Sequence, residues 1–569
     1  MSRGHRVVAA IDFGTHGTGY AWTTVSRDND DLSDRKVTHF FQWKDQRALY
    51  AKNRTAVLTG PDGRLVAWGH EAVKRRDAAA DPSLRLHTNF KMDLQTNLGQ
   101  GLGVDDQPQN GKKDPGSVFN LVVMTLREVF LAACADILQG LYKESDIRWC
   151  VTVPAIWDQY TRQLMYSAAV AAGLPDDPDR LFLAQEPAAA ALYCLAKGEE
   201  RLRAADTRLM VIDAGGGTVD ITSYLVHADG GLSELARPSG TKKGSEYLNQ
   251  AFMQRELSQA LGPERLMSIA RTQRTALSSV LDGFEQEKLS FSADSADGLR
   301  LDLGAQLYQG LIEQWAKDQR GPMPQPVLVI EREKVVSLYE GVLASTLEAV
   351  DAHLAAMRAA SGGRPGGELA LLVGGFAQSP YLRGRLRERL AAQDVELVVP
   401  PRPELAVLSG AVHFAYDSGV FLTWTAPLTY GVRCAMPFRP GVDPESRREE
   451  GSDGKIWCTG RFDIFVQAGQ AVDANTEIKK KYYPLHKKQA QLTMPLLSTE
   501  RTGIEFADEG GVAPSGELVA DLGASMNLPM EQREIEVTMH FGQSRIVATA
   551  RNLHTGEERS AHIEWRPTW

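Results

Sequence analysis

From residue 7 to about residue 418, short apolar runs alternate with longer stretches in which apolar residues recur every three or four positions. That pattern predicts strands interleaved with amphipathic helices, an α/β architecture. Val118, Val122, Leu126, Val129, Ala133 and Ile137 predict one long helix over 117–139, and Leu343, Leu347, Val350, Leu354 and Met357 another over 335–357. Between them in kind are loops: 97–116 is rich in Gly, Asp, Gln and Asn, and 361–367 reads Ser-Gly-Gly-Arg-Pro-Gly-Gly. Beyond Phe421 the period falls to two. Ile535, Val537, Met539 and Phe541 alternate with Glu536, Thr538 and His540, a turn at His554-Thr555-Gly556 follows, and a last strand ends near Trp565. The tail therefore predicts an antiparallel β domain, with a polar loop over 443–454 and a solvated loop carrying Lys479, Lys480 and Lys481.

The 569 residues allow about three or four domains, enough for a large core and a cleft. A net charge of −9 argues against bulk attraction to nucleic acid or an anionic membrane. No apolar run of membrane-spanning length and no signal-peptide pattern is expected. Five scattered cysteines predict free thiols and a reducing, cytoplasmic setting.

Three segments carry chemistry. In Ile11-Asp12-Phe13-Gly14-Thr15-His16-Gly17-Thr18-Gly19, an apolar strand delivers an acid to a Gly/Thr hairpin. Such a hairpin presents backbone N–H groups to phosphate, and Asp12 can hold a hydrated Mg²⁺. The second, Ile212-Asp213-Ala214-Gly215-Gly216-Gly217-Thr218-Val219-Asp220, is built the same way. Three consecutive glycines are costly in backbone entropy, so their use beside a carboxylate implies close approach of the backbone to another group. Two such hairpins about 200 positions apart suggest a duplicated domain clasping one polyphosphate. The third, Val373-Gly374-Gly375-Phe376, ends a strand without side chains, where a flat group such as adenine can lie. No Gly-x-x-x-x-Gly-Lys-Ser/Thr occurs, so a P-loop is not the explanation.

In this order the segments resemble the phosphate-one, phosphate-two and adenosine motifs of the actin, sugar-kinase and heat-shock-chaperone ATPase superfamily. Val151-Thr152-Val153-Pro154-Ala155, Glu186-Pro187-Ala188-Ala189-Ala190 and Arg64-Leu65-Val66-Ala67-Trp68-Gly69 narrow the resemblance to the heat-shock protein 70 (DnaK-type) family. Asn89-Phe90-Lys91-Met92 resembles its divergent heat-shock 70 kDa protein 12 branch. The resemblance implies a two-lobed actin-like domain, a duplicated ribonuclease-H-like fold, over 1–419. Lobe I would take about 1–206 plus 400–419 and lobe II about 207–399. A linker over 420–425 and a β-sandwich over 426–569 without the helical lid would follow.

It further implies that Asp12 and Asp213 position Mg²⁺ through waters. Gly14, Thr15, His16, Gly215, Gly216, Gly217 and Thr218 would cradle the phosphates of ATP or ADP. Lys91 would meet the γ-phosphate and attacking water, and Glu186 would lie near the metal and the base path. Gly244 stands in a reduced phosphate loop, Glu285 and Lys288 fall on the nucleoside helix, and Gly374 and Gly375 on the adenosine turn. Leu289 replaces the arginine that stacks on adenine, and His16 and Gly17 replace the usual Thr and Tyr. Slow hydrolysis is therefore an expectation. The implied activity is an ATP-hydrolysing, stress-response chaperone whose nucleotide state controls binding of unfolded client segments. J-domain and nucleotide-exchange partners would assist a monomeric protein. The alternatives are a nucleotide-gated scaffold with little turnover and a carbohydrate kinase, for which Asp220 is the available catalytic acid.

Overall fold

A computed structural model describes residues 4–562, apart from 27–29, 47–48, 80, 82, 95–114, 178, 199, 319–322, 364–366, 474–475 and 542–545. The loop expected over 97–116 lies almost wholly outside the described residues, as does the chain end at Trp565. The chain divides into one unit of residues 1–157, 164–228 and 238–418 and a second of 158–163, 229–237 and 419–569.

The first unit contains the same sheet plan twice. In one lobe Val7–Phe13 pairs antiparallel with Gly17–Thr24 and parallel with Ile147–Val153, which pairs parallel with Leu181–Gln185. In the other, Arg208–Ala214 pairs antiparallel with Val219–Val226 and parallel with Glu368–Val373, followed by Glu396–Val398. Val7–Phe13 and Arg208–Ala214 are buried along their whole length. Strands covered on both faces read as unbroken apolar runs, which is why these two were conspicuous in the sequence. Each carries an aspartate, Asp12 or Asp213, one residue before its carboxyl end, where the apolar run gives way to a hairpin. This is the expected duplicated α/β plan.

The long helices are Pro115–Ile137, two residues longer at its start than the periodicity suggested, and Arg332–Ala360. Contrary to the expectation of no membrane-length apolar stretch, Val118–Ile137 is long and apolar enough by composition to span one. Its Val118, Val122, Leu126, Val129, Ala133 and Ile137 lie instead in the first lobe's core, with Trp149 and Trp157. Helix Glu186–Lys197 packs against Ala406–Tyr416 at very short range. A Cβ on Gly410 would fall 1.7 Å from the Ala189 carbonyl oxygen, so only glycine permits this contact, which fixes the helix that begins with Glu186.

In the second unit a five-stranded sheet runs Arg448–Glu450, Ile456–Val466, Thr429–Pro437, Gln491–Thr499, Ala513–Asp521. A four-stranded sheet runs Thr476–Tyr482, Ile535–Phe541, Ile546–Asn552, Glu558–His562. Tyr430, Val432, Leu496 and Leu518 of the first share a core with Ile535, Val537, Met539 and Ala548 of the second, the expected antiparallel sandwich. Three readings need correction. Residues 421–425 are not a free linker but the strand Phe421–Thr425, paired with Leu232 and Ser233 on one side and Ala471–Asp473 on the other. The polar segment 443–454 contributes the edge strand Arg448–Glu450. Lys479, Lys480 and Lys481 lie in Thr476–Tyr482, where Lys480 pairs with Asp463 and Lys481 with Glu534 at 3.0 Å. All five cysteines are free, as expected.

Glu234, 5% exposed, accepts the Thr425 N–H at 2.6 Å. Burial pushes its carboxyl up to about 7, partly opposed by the Thr425 bonds. The native chain therefore keeps a proton that the unfolded chain releases above about 4.5, and stability falls as pH rises from there through about 7. Glu234→Gln is expected to remove up to about 3 kcal/mol of that decline. Denaturant melts at pH 4.5 and pH 8 check it; equal pH slopes for parent and variant would refute it.

Candidate functional site

The two Asp-bearing strand ends face one another. The first hairpin closes with Gly14 N–H donating to Gly17 C=O at 3.1 Å, and the second with Gly215 N–H donating to Thr218 C=O at 2.9 Å. A Cβ on Gly216 would stand 3.2 Å from His16 Cβ, and one on Gly217 2.6 Å from Thr15 Oγ1. The glycines are thus what lets the hairpins approach. The N–H groups of Gly244, Ser245 and Glu246 donate to the carbonyls of Gly217, Gly215 and Gly216 at 3.1, 3.1 and 2.9 Å. Gly244 accordingly braces the hairpin from behind; a Cβ there would lie 2.4 Å from Gly216 O. Gly374, at φ +91, brings its turn against the same strand end, where a Cβ would be 2.5 Å from Asp213 Oδ1. Gly375 faces open space.

Four carboxylates gather here: Asp12, Glu186, Asp213 and Asp220, exposed by 2, 8, 4 and 0%. Two lysines join them. Lys91, 2% exposed, reaches Glu186 at 2.5 Å from the short helix Phe90–Leu94. Lys52 reaches Asp12 Oδ2 at 2.5 Å, while Thr152 Oγ1 donates to Asp12 Oδ1 at 2.9 Å. Asp220, opposite Asp213 in the hairpin register, accepts the Ile156 N–H at 3.0 Å. Asp213 Oδ1 has no hydrogen-bond partner among the described residues.

Crowding has an electrostatic consequence. Burial, then Glu186, Asp220 and Asp12, push the Asp213 carboxyl well above the usual range. Burial pushes Glu186 up to about 7 against the pull of Lys91, and raises Asp220 as well. With all six groups ionised the cluster carries four negative and two positive charges, a formal −2 that a divalent cation matches.

Glu285 and Lys288, on helix Arg274–Ser290, form a second polar group with helix Ser245–Ala251. Lys288 pairs with Glu285 at 2.7 Å and donates to Asn249 Oδ1 at 2.9 Å, while Asn249 Nδ2 donates to Glu246 at 2.9 Å and to Glu285. His16 Nδ1 lies 3.6 Å from Glu246. Burial works against the Glu246 carboxylate, yet the His16 hydrogen bond and charge, with Lys288, hold it down to about 2. A cavity of about 90 Å³, lined by His16, Glu246, Asn249 and Leu281, opens beside this group.

All the residues singled out in the sequence therefore lie on the two hairpins, on the elements bracing them, or in the adjoining polar group. Sequence reasoning missed Lys52, Glu246 and Asn249 as members of the site, and gave Thr152 no role although its segment was noted.

Comparison with known proteins bears on this arrangement. A family model described as Hsp70 protein matches residues 128–437. The chain belongs to the Hsp70 family. Within it, the chain is similar to the human heat shock 70 kDa protein 12B, with 28% identity over 98% of this chain and 91% of the relative. It is similar to human heat shock 70 kDa protein 12A at 26% identity with the same coverage. A chaperone protein HscA homolog of Burkholderia lata is 30% identical over 43% of this chain and 40% of its own. The near-complete matches place this Hsp70 chain in the divergent protein 12 branch, as its Asn89-Phe90-Lys91-Met92 segment suggested.

Proposed function

We propose that this Hsp70 chain binds ATP with Mg²⁺ between the two hairpins and hydrolyses it slowly, and that nucleotide state governs binding of a protein segment by the β-sandwich. The carrying observation is the pair of glycine hairpins converging on four buried carboxylates and two lysines. The site fits a divalent cation: Asp213 Oδ1 is buried and without a hydrogen-bond partner among the described residues, and with every group ionised the cluster carries a formal −2. Asp12 and Asp213 are the residues to hold Mg²⁺, whose bound charge neutralises phosphate oxygens. Thr15, His16 and the Gly215, Gly216, Gly217 and Thr218 hairpin cradle the phosphates. Lys91 holds the γ-phosphate and water, Glu186 takes or guides the water's proton, and Glu285 with Lys288 meets the nucleoside beside Gly374 and Gly375. Free cysteines support a reducing, cytoplasmic location. Client segments and helper co-chaperones remain the proposed partners.

A nucleotide-gated scaffold is the second reading, favoured by one observation. The cavity of about 90 Å³ beside the nucleoside group is lined by His16 and Glu246, which stand 3.6 Å apart, and this narrow entry favours slow nucleotide exchange over rapid turnover.

The test is calorimetric titration of ATP with and without Mg²⁺ on the parent and Asp213→Asn. Burial and the neighbouring carboxylates raise the Asp213 carboxyl, whereas a bound divalent cation favours its ionised form, so Mg²⁺–ATP binding is expected to release protons, visible as a buffer-dependent heat. Asp213→Asn should abolish that release and weaken Mg²⁺-dependent binding about tenfold or more, a cost of about 1.4 kcal/mol per decade. Unchanged affinity and unchanged proton release would overturn the assignment.

A further inference from the structure

Beside the four-carboxylate cluster, a second group of side chains has the donor set of a different metal. His16, Glu246 and Glu285 each offer one ligating atom, and the three atoms lie within 4.8 Å of one another. They come from both lobes: His16 from the turn between Val7–Phe13 and Gly17–Thr24, Glu246 from helix Ser245–Ala251 and Glu285 from helix Arg274–Ser290. The backbone under His16 is pinned, its C=O accepting the Thr55 N–H at 2.9 Å.

The donors are open as well as close. The His16 side chain is 46% exposed, its Nδ1 stands 3.6 Å from Glu246 Oε2, and its Nε2 has no hydrogen-bond partner among the described residues. Asn249 Nδ2 donates to Glu246 Oε2 and, with Lys288 Nζ, to Glu285 Oε1. Each carboxylate is thus held through one oxygen, while Glu246 Oε1 and Glu285 Oε2 have no partner among the described residues. A carboxylate fixed in this way is oriented to ligate. The cavity of about 90 Å³ that His16 and Glu246 line gives an ion its way in. Two ligands of one tetrahedral ion, each about 2.0–2.2 Å from it, stand about 3.4 Å apart, close to the gap between His16 and Glu246.

Charge favours a cation too. Burial opposes both carboxylates, yet His16 and Lys288 hold Glu246 down to about 2, and Lys288 with His16 lowers Glu285, so both are ionised near pH 7. Against their two negative charges stands Lys288; Arg54, across the cavity, is itself 3.6 Å from Asp282. An imidazole nitrogen with two carboxylates suits Zn²⁺ and its first-row neighbours, whereas Mg²⁺ prefers the oxygen-only set around Asp12 and Asp213.

We propose that in the nucleotide-free chain His16, Glu246 and Glu285 bind one Zn²⁺-type divalent ion, which ties the first hairpin to the helices of the other lobe. If Glu285 also meets the nucleoside, ion and nucleoside exclude one another; that exclusion rests on the proposed nucleotide site, whereas the metal site stands without it.

The test is a Co²⁺ titration of the nucleotide-free full chain in excess Mg²⁺, which fills oxygen-only sites, read by visible d–d bands and followed by calorimetric displacement with Zn²⁺. The expected result is a saturable Co²⁺ signal that Zn²⁺ removes, with a Zn²⁺ dissociation constant of about 10 µM or tighter. His16→Ala, at an exposed position, should weaken Zn²⁺ binding about tenfold or more with the melting temperature unchanged, and Glu285→Gln, which keeps an acceptor for Lys288, should do the same to binding. Zn²⁺ held by a cysteine or by the carboxylate cluster would survive His16→Ala. Adenosine, which does not chelate the ion, should weaken Zn²⁺ binding to the parent; binding that ignores adenosine but is lost in His16→Ala keeps the metal site and removes its overlap with the nucleoside. Superimposable isotherms for parent and His16→Ala, or no Zn²⁺ binding tighter than about 1 mM, overturn the proposal.

Discussion

Lys91→Ala is expected to lower the single-turnover rate of bound ATP by about 10² or more while leaving ATP affinity within a few-fold. Lys91 is buried, its Nζ 2.5 Å from Glu186, 5.4 Å from the centre of the Trp157 ring and 5.9 Å from that of Phe13. Water is largely excluded there, so one positive charge acts on transition-state oxygens with little screening. The substitution also removes the charge that keeps Glu186 from rising above about 7. In the parent, Glu186 ionises as pH passes upward through about 7, so the hydrolysis rate should climb across that point. In Lys91→Ala the carboxyl loses the cation it pairs with, rises further, and the climb should move to higher pH. Quench-flow rates from pH 6 to 9 test both statements. An unchanged rate, or a pH profile superimposable on the parent's, would remove Lys91 from the reaction.

How far the site could be read from sequence depends on how local each residue's signal is. Asp12 and Asp213 stood out because an apolar strand, an acid and a glycine turn are adjacent in sequence and remain adjacent in space. Lys91 and Glu186 are 95 positions apart, and only a family resemblance joined them before the 2.5 Å contact did. Lys52 had no such help. It follows an aperiodic segment, and nothing near it in sequence announces that Asp12, forty residues earlier, is its partner.

In the sandwich, the alternation of Ile535, Val537 and Met539 was plain because one face is fully buried. The lysine-rich strand was hidden because polar residues occupy both faces. Lys480 lies on the same face as Ile478 and Tyr482, and both Lys480 and Tyr482 are satisfied by Asp463, whose position in the sequence gives no hint of it. Phe421–Thr425 reads as a connector because five residues are too few to show a period; its strand character comes from the neighbours that pair with it.

Lys52→Met, which keeps the side chain's length and loses its charge, is expected to destabilise the nucleotide-free protein by about 3 to 5 kcal/mol at pH 8, the usual cost of leaving one member of a buried ion pair alone. Lys52 is mostly buried and Asp12 almost wholly so. Asp12 would then share the interior with Asp213, Glu186 and Asp220, and only Lys91 would offset four carboxylates. The loss should shrink as pH approaches about 4, where carboxylates take up protons and the repulsion they create is relieved. Mg²⁺ supplied with ADP should recover part of the stability, because a divalent charge bound to native carboxylates stabilises the native state through mass action. Thermal melts at pH 8 and pH 5, with and without Mg²⁺ and ADP, separate these effects. If parent and variant melt together at pH 8 without ligand, Lys52 is a spectator, and the carboxylate cluster must hold its charge down by keeping protons on Asp213 and Glu186.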